Sequence, residues 1–230
     1  PTKTTTMLWS DNFSDPNGWH KDPAYYSTIS FPDLNGDGKA DLCGRGYSGM
    51  LCALSNGSSF SPVVLWSDNF SDPNGWHKDP AYYSSIQFPD LNGDSKADLC
   101  GRGYSGMLCA LSNGSSFSPV VLWSDNFSDP NGWHKDPAYY STIRFPDLNG
   151  DGKADMCGRG YSGMLCALSI GSSFTPVTLW SDNFSDPNGW HKDPAYYSTI
   201  QFPDLNGDGK ADLCGRGYSG MLCALSNGSS

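Results

Sequence analysis

The chain alternates short runs of aromatic and β-branched residues with longer segments rich in Gly, Asn, Asp and Ser. Runs of this length and composition predict β-strands, and the polar segments between them predict turns. In the first part of the chain we predict four strands, at 25–31, 40–45, 50–55 and 60–66. Pro62 places the start of the fourth strand at a sheet edge, because proline cannot donate a hydrogen bond to a neighbouring strand.

The same pattern occurs four times along the chain. The string LWSDNFSDPNGWHKDPAYY begins at Leu8, Leu65, Leu122 and Leu179, each start lying 57 residues after the last (65 minus 8, for example). The repeats are therefore 8–64, 65–121, 122–178 and 179–230, with residues 1–7 before the first. Four short strands in a repeat of this length are typical of a β-propeller blade. A solenoid is the alternative, although solenoid repeats are shorter. We predict an all-β propeller with four-stranded antiparallel blades.

Composition excludes several classes of protein. All 24 acidic residues are Asp, Glu is absent, and Gln occurs only at Gln87 and Gln201. Since Glu, Gln, Lys and Ala normally cover exposed helix faces, a helical bundle and a helix-rich α/β fold are excluded. The formal net charge of −10 argues against a nucleic-acid partner. No apolar run reaches the ~18 residues of a membrane-spanning helix. A chain this acidic repels itself, which favours a bound cation in the folded state.

The eight cysteines lie in four pairs, and the members of each pair are nine positions apart (52 minus 43, for example). A tight turn centred on Tyr47 and Ser48 sets Cys43 opposite Cys52 in an antiparallel pair, within reach of a disulfide. Zinc ligation and buried free thiols are the alternatives, but the close CxxC spacing of zinc sites is missing. The predicted disulfides, which imply an oxidising, extracellular setting, are Cys43–Cys52, Cys100–Cys109, Cys157–Cys166 and Cys214–Cys223.

Each repeat also contains a nonapeptide of the form DLNGDGKAD. Side-chain oxygens at its positions 1, 3, 5 and 9, with the backbone carbonyl of position 7, can surround one calcium ion. An EF-hand is excluded, because position 12 is Gly44 instead of Glu and Pro32 precedes the loop. The alternative is an Asx-rich turn whose side chains bond their own backbone. In the second repeat Ser95 replaces a loop glycine, so we expect that loop to bind most weakly.

These residues carry a resemblance to known families. FPDLNGDGKADLCGRG resembles the FG-GAP/VCBS calcium-loop repeat of integrin α-chain propellers and secreted propellers. The whole repeat, with its NGW and CGRG segments, is similar to the Psathyrella velutina lectin type, a calcium-containing propeller family that binds N-acetylglucosamine and related sugars between blades. The resemblance implies that the calcium ligands are Asp33, Asn35, Asp37, Lys39 and Asp41; Asp90, Asn92, Asp94, Lys96 and Asp98; Asp147, Asn149, Asp151, Lys153 and Asp155; and Asp204, Asn206, Asp208, Lys210 and Asp212.

The same resemblance makes the 25–31 strand innermost and the 60–66 strand outermost, so that the connector 68–81 crosses one face towards the next blade. Sugar sites combine an aromatic face with polar groups. Packing of Trp76 and Tyr82 between blades is the alternative. The candidate sugar-binding residues are Trp19, His20, Tyr25, Arg45, Tyr47, Trp76, His77, Tyr82, Arg102, Tyr104, Trp133, His134, Tyr139, Arg159, Tyr161, Trp190, His191, Tyr196, Arg216 and Tyr218.

Two functions fit this pattern. The first is a secreted, multivalent lectin for N-acetylglucosamine-type glycans with structural Ca²⁺. The second is a calcium-stabilised protein-interaction or scaffold propeller of a secreted protein. The candidate sugar residues are the same in every repeat, whereas Ser30, Gln87, Arg144 and Gln201 differ at one equivalent position. Four equal sites suit avidity. An enzyme is not expected, because Glu is absent and no Ser stands in a nucleophile-elbow motif.

The chain starts inside a repeat, so a strand at 4–9 would supply the fourth strand of the blade that begins at Tyr196. Propellers often close in this way, which leaves no open sheet edge. One chain would give a four-bladed ring. Two chains joined head to tail would give an eight-bladed ring with twofold symmetry, and we expect this homodimer.

Overall fold

A disulfide-linked hairpin forms the middle of the sheet in each repeat. The structure, a computed structural model, describes residues 4–229. In the first repeat β1 (Leu42–Gly46) pairs antiparallel with β2 (Gly49–Ala53), and β3 (Val64–Ser67) pairs with the other edge of β2. The second and third repeats contain the same sheets, and the fourth contains the hairpin alone. Their strands are β4 (Leu99–Gly103), β5 (Gly106–Ala110), β6 (Val121–Ser124), β7 (Met156–Gly160), β8 (Gly163–Ala167), β9 (Thr178–Ser181), β10 (Leu213–Gly217) and β11 (Gly220–Ala224).

The hairpin has the predicted pairing. Arg45 lies opposite Met50 and Cys43 lies opposite Cys52, with Cα atoms 4.2 Å apart across the disulfide. Gly49 makes the turn possible, since its φ is +130° and a Cβ there would lie 2.1 Å from the Ser67 carbonyl oxygen. All four predicted disulfides are confirmed: Cys43–Cys52, Cys100–Cys109, Cys157–Cys166 and Cys214–Cys223.

The predicted strand at 25–31 is wrong in its first half. Residues Pro23–Tyr26 form a one-turn helix, α1, because Asp22 caps it and Pro23 stands at its first position. The Asp22 carboxylate accepts a hydrogen bond of 2.8 Å from the Ala24 amide. This start signal outweighs the β propensity of the two tyrosines. Equivalent helices are α2 (Pro80–Tyr83), α3 (Pro137–Tyr140) and α4 (Pro194–Tyr197).

Only one residue of that segment keeps a β pairing. Ser30 forms an isolated bridge with Cys43, and Gln87, Arg144 and Gln201 do the same in the other repeats. The innermost strand of each predicted four-stranded blade is therefore a single bridge, beside a three-stranded sheet in the first three repeats and beside the hairpin alone in the fourth. In the first connector, short 3₁₀ helices at Asp15–Asn17 and Trp19–Lys21 precede α1.

The predicted strand at 4–9 is also absent from the described structure, in which residues 4–10 have no regular pairing. Its sheet partner would be β11, and β11 pairs only with β10 among the described residues. Trp9 nevertheless packs on Phe60 with ring centroids 5.4 Å apart, as Trp66 packs on Phe117 at 5.2 Å. The segment thus packs through Trp9 as β3 packs through Trp66, but it is not paired with any strand of the described residues. Closure of the ring by one chain is not observed.

The hydrophobic core lies between consecutive repeats. One cluster joins Met50 of the first repeat to Trp66, Leu99 and Phe117 of the second, and similar clusters join the second to the third and the third to the fourth. None of the helices within residues 4–229 has the length and apolar character needed to cross a membrane. Because the core clusters join consecutive repeats, the molecule is an all-β array in which each repeat buries its apolar side chains against a neighbour.

Candidate functional site

A buried arginine ties each hairpin to the connector of the next repeat. Arg45 lies in β1, and its Nη1 donates a hydrogen bond of 2.7 Å to Asp72 Oδ1 in the following connector. Its Nε donates to the carbonyl of Ala24 at 3.0 Å. The Asp72 amide returns a hydrogen bond of 2.9 Å to the carbonyl of Tyr47 at the hairpin turn. The hairpin turn therefore contacts the connector of the next repeat.

Tyrosine completes this polar group. The Tyr25 hydroxyl donates to Asp72 Oδ2 at 2.6 Å, and the Arg45 guanidinium lies 5.2 Å from the Tyr25 ring centroid. Burial, reinforced by the hydrogen bond to Asp72, raises the pKa of Tyr25 to about 12. Burial likewise raises the pKa of Tyr82 and Tyr139 in the next two repeats. The tyrosines are therefore neutral donors that fix the orientation of the carboxylate.

The outer part of the group faces solvent. Arg45 is fully buried and Asp72 is 13% exposed, whereas Tyr47 is 64% exposed and the His77 side chain about one-third exposed. His77 Nδ1 lies 3.7 Å from Asp72 Oδ1 and is a buried nitrogen without a hydrogen-bond partner among the described residues. Asp72 and His77 thus form a polar rim beside a buried ion pair, and the exposed Tyr47 adjoins it through the hydrogen bond that its carbonyl accepts from the Asp72 amide.

We call the group of Tyr25, Arg45, Tyr47, Asp72 and His77 a junction cleft, a name that refers only to its place between two consecutive repeats. Two further junction clefts repeat the same ion pair, with Arg Nη1 to Asp Oδ1 distances of 2.6 and 2.7 Å. At the ends of the array the group is divided between the last repeat and the first. The second and third clefts are Tyr82, Arg102, Tyr104, Asp129 and His134, and Tyr139, Arg159, Tyr161, Asp186 and His191; the divided residues are Tyr196, Arg216, Tyr218, Asp15 and His20.

The tryptophans of the NGW motif do not reach these rims. Trp76 is 3% exposed and packs against Phe70, with ring centroids 4.4 Å apart. A Cβ at Gly101 would lie 2.8 Å from the Trp76 ring, so the glycine before Arg102 makes room for it. Trp19, Trp133 and Trp190 are buried in the same way. The tryptophans therefore pack in the core, as the alternative interpretation held, and they present no exposed aromatic face to a sugar.

The sequence interpretation missed the aspartate of each cleft. Asp72, Asp129 and Asp186 pair with the buried arginines, yet among the connector residues only the Trp and the His are predicted from the sequence to contact sugar. A signal was present: an arginine within an apolar β-hairpin needs a carboxylate partner, and each SDPNGW segment offers one. The pairing lies between repeats, so spacing along the chain does not reveal it.

The predicted calcium loops bond mainly to their own backbone. The Asp33 carboxylate accepts hydrogen bonds from the amides of Gly36 and Gly38 at 2.8 and 2.9 Å. Lys39 Nζ lies 2.8 Å from Asp37, an interaction that lowers the pKa of that carboxyl. Among residues 4–229 no three His, Cys, Asp or Glu side chains are gathered closely enough to hold a metal ion. The oxygen donors that calcium takes are present, but in this arrangement they serve an Asx-type turn.

The last aspartate of each loop links the loop to the sheet. Asp41 is fully buried and accepts hydrogen bonds from the amides of Leu34 and Ser55 at 2.9 and 2.7 Å. Burial raises the pKa of its equivalents Asp98 and Asp155 to about 6. The loops also join repeats, because the Ala97 amide donates to the Asp33 carbonyl and Ser112 Oγ to the Leu34 carbonyl, both at 2.7 Å.

The residues that occupy the variable position at Ser30 and its equivalents line a cavity separate from the junction clefts. Ser30, Gln87, Arg144 and Gln201 surround an open cavity of about 610 Å³ together with phenylalanine side chains from all four repeats and proline side chains from the first three. Gln87 Nε2 donates to the Ile143 carbonyl at 2.9 Å, and burial lowers the pKa of Arg144. This central cavity and the junction clefts are lined by different residues, so a ligand at one can be distinguished from a ligand at the other by mutation.

Comparison with known proteins gives first a class of repeat and then a particular relative. The FG-GAP-like repeat family matches residues 147–215. A lectin of Agrocybe aegerita, described as specifically recognising non-reducing terminal N-acetylglucosamine, superimposes with a TM-score of 0.78 and 30% identity. The superposition covers 87% of this chain and 48% of the lectin chain. The resemblance to FG-GAP repeats and to a lectin for this sugar is therefore confirmed.

More distant similarities concern longer proteins. Serine-aspartate repeat-containing protein D of Staphylococcus aureus (strain Newman) is 26% identical over 215 residues, which are 89% of this chain and 14% of that protein. The TcdB2-TccC3 structure has a TM-score of 0.50 at 17% identity, over 86% of this chain and 9% of that one. The chain thus spans less than half of each of these relatives, and the TcdB2-TccC3 similarity concerns the fold alone.

Proposed function

We propose that this protein is a multivalent lectin that binds glycans ending in N-acetylglucosamine at its junction clefts. The observation that carries the proposal is the similarity to the Agrocybe aegerita lectin, at 30% identity and a TM-score of 0.78. The same polar group stands between each pair of consecutive repeats, and identical sites in series suit a multivalent ligand. A binding function, not catalysis, is part of this proposal.

The cleft has the chemistry that a sugar requires. Arg45 and Tyr25 fix the Asp72 carboxylate, so a sugar hydroxyl would meet an acceptor that needs no reorientation. His77 adds a polar group and Tyr47 an exposed ring for the apolar face of a pyranose. Arg45 itself is buried and contributes by fixing the Asp72 carboxylate, not by contacting the sugar. Tyr47, Asp72 and His77, with their equivalents, are the proposed contact residues.

Calcium, secretion and a homodimer are further parts of the proposal. The predicted loops supply only oxygen donors, and four Ca²⁺ ions would take the net charge from −10 to −2, because each carries two positive charges. The four disulfides indicate an oxidising environment, which supports secretion. A homodimer would offer more clefts to a branched glycan than one chain does.

The site is tested by titration calorimetry with an oligosaccharide that ends in N-acetylglucosamine. We expect saturable binding by the wild-type chain. Replacing His20, His77, His134 and His191 by Ala should weaken it about tenfold, which corresponds to about 1.4 kcal/mol. The matched control replaces Gln87, Arg144 and Gln201 by Ala in the central cavity and should bind as the wild type does.

Two results would contradict the proposed site. Weak binding by the central-cavity variant together with full binding by the histidine variant would show that the glycan binds in the central cavity. A wild-type chain that binds no glycan would instead favour the calcium-stabilised protein-interaction scaffold.

A further inference from the structure

The two ends of the array expose the complementary halves of a junction. Within residues 4–229 three junctions between consecutive repeats are complete, and in each of them the arginine is paired with the connector aspartate. A fourth arginine, Arg216, is exposed; its Nη1 donates a hydrogen bond of 3.5 Å to the Ala195 carbonyl, and its guanidinium lies 5.8 Å from the Tyr196 ring centroid. A fourth aspartate, Asp15, is 80% exposed. Neither residue has the partner that its equivalents have.

The surface at the last repeat is an open sheet edge with apolar side chains. Every residue of β11 is exposed, whereas the equivalent strand β2 is almost wholly buried. Met221 is 65% exposed and its equivalent Met50 is fully buried. In the complete repeats this edge is covered by the third strand and by the following connector. An open apolar edge of this kind needs a cover.

The surface at the first repeat is the matching cover. Met7 and Leu8 are exposed, and Leu8 is equivalent to Leu65, which pairs with Leu51 of β2. Trp9 already packs on Phe60, so the segment is held where a third strand belongs. The cover and the open edge therefore lie at opposite ends of the same chain.

We propose that a second copy of this chain docks head to tail on the first and that the two copies build a composite junction cleft. Tyr196, Arg216 and Tyr218 of one copy would join Asp15 and His20 of the other. That this composite cleft binds glycan rests on the proposed function, whereas the docking does not. Each copy offers both surfaces, so two copies satisfy both ends in a closed ring with twofold symmetry.

The internal junctions specify the contacts of the composite one. Arg216 pairs with Asp15 as Arg45 pairs with Asp72, and the Asp15 amide donates to the Tyr218 carbonyl. Leu8 stands opposite Leu222 in an added strand, as Leu65 stands opposite Leu51. On the loop side Ser55 donates to the Leu205 carbonyl, as Ser112 does to that of Leu34. Charge, strand pairing and loop contacts thus agree on one arrangement.

Light scattering of the 230-residue chain tests the docking. We expect a mass of about twice 24.9 kDa. Arg216→Asp and Asp15→Arg should each give a monomer, because like charges would meet at the composite junction. The double variant should regain the dimer, since its charges are exchanged but still complementary. A wild-type monomer would overturn the proposal. Further repeats of the same kind would then be the remaining candidates to cover the two end surfaces. A species larger than a dimer would overturn the two-copy ring.

A matched control and a stoichiometry separate docking from glycan binding. Asp11→Arg makes the same charge change four residues away, and its internal equivalent Asp68 is exposed, so this variant should stay dimeric. Its failure to dimerise would show that charge alone, and not the composite contact, controls assembly. The wild-type dimer should bind four ligands per chain and the Arg216→Asp monomer three. A dimer that binds three per chain would overturn the composite cleft, whereas a dimer without glycan binding would contradict only the proposed function.

Discussion

Single glycines decide where the large side chains of each repeat can pack. Gly101 accommodates the rings of Trp76 and Phe70, because a Cβ there would lie within 2.9 Å of both. Other glycines in the nonapeptide loop are needed for conformation and not for space. Gly38 and Gly152 adopt φ values of +79° and +81°, with open space around the position of a Cβ at both. Ser95 occupies the equivalent position in the second repeat with φ +66°.

Replacing Ser95 by glycine should therefore stabilise the protein. A residue with a Cβ costs about 1 kcal/mol in this left-handed region, and glycine removes that cost. Denaturant unfolding should show a gain of about 1 kcal/mol in the free energy of unfolding. The reverse change at the equivalent position, Gly152→Ser, is the control and should lose a similar amount. Equal stability of Ser95→Gly and the wild type would contradict the conformational explanation.

The buried arginine of each junction makes its aspartate indispensable. Asp129→Ala would leave the fully buried Arg102 without a counter-charge and Tyr82 without its acceptor. Removing one member of a buried ion pair typically costs about 3–5 kcal/mol. We expect a loss of that size in denaturant unfolding, while Asp125→Ala, at an exposed position four residues earlier, should change stability little. Similar losses in both variants would show that the ion pair has no special role.

At the scale of elements, the sequence predicts what is local and repeated. The hairpin follows from the cysteine spacing and the two-residue turn, and its pairing is confirmed residue by residue. The helix at Pro23–Tyr26 was missed because the tyrosines suggested a strand, although Asp22 and Pro23 form a helix start signal. The segment 4–9 has a strand sequence but no partner within the described chain, and a strand exists only as part of a sheet.

Each hairpin disulfide should contribute to stability by restricting the unfolded chain. The loop closed by Cys100 and Cys109 contains about ten residues, for which the chain-entropy relation gives about 2–3 kcal/mol. Replacing both cysteines by Ala should lower the free energy of unfolding by that amount. Mass spectrometry after alkylation without reduction is the accompanying control and should find no modified cysteine in the wild type. Alkylation of most thiols would contradict the disulfides and the extracellular setting together.

At the scale of the whole molecule, the contacts between repeats could not be predicted from the sequence. The pairs Arg45–Asp72 and Ala97–Asp33 join residues of different repeats, and near-identical repeats give no indication of which copy meets which. The resemblance implies a sugar site between blades. The structure shows an aspartate paired with the buried arginine at each complete junction and places the tryptophans in the core.

The excess of negative charge makes the whole molecule sensitive to cations. If the four nonapeptide loops bind Ca²⁺ in the folded state only, calcium should raise the melting temperature by mass action and EDTA should lower it. Ser95→Gly should bind the ion at its second loop more tightly than the wild type does, since the loop would lose its conformational cost. A melting curve that EDTA leaves unchanged, together with no metal in elemental analysis, would contradict the calcium proposal.

The central claim is that the junction clefts recognise terminal N-acetylglucosamine, and a glycan array with the wild-type chain tests it most directly. The array should compare glycans that end in N-acetylglucosamine with the same glycans capped by galactose. We predict strong signals for the uncapped series and weak signals for the capped one, because a galactose cap removes a free hydroxyl that could donate to the aspartate of the cleft. Absence of binding to every glycan, or equal binding to the capped and uncapped series, would contradict the account.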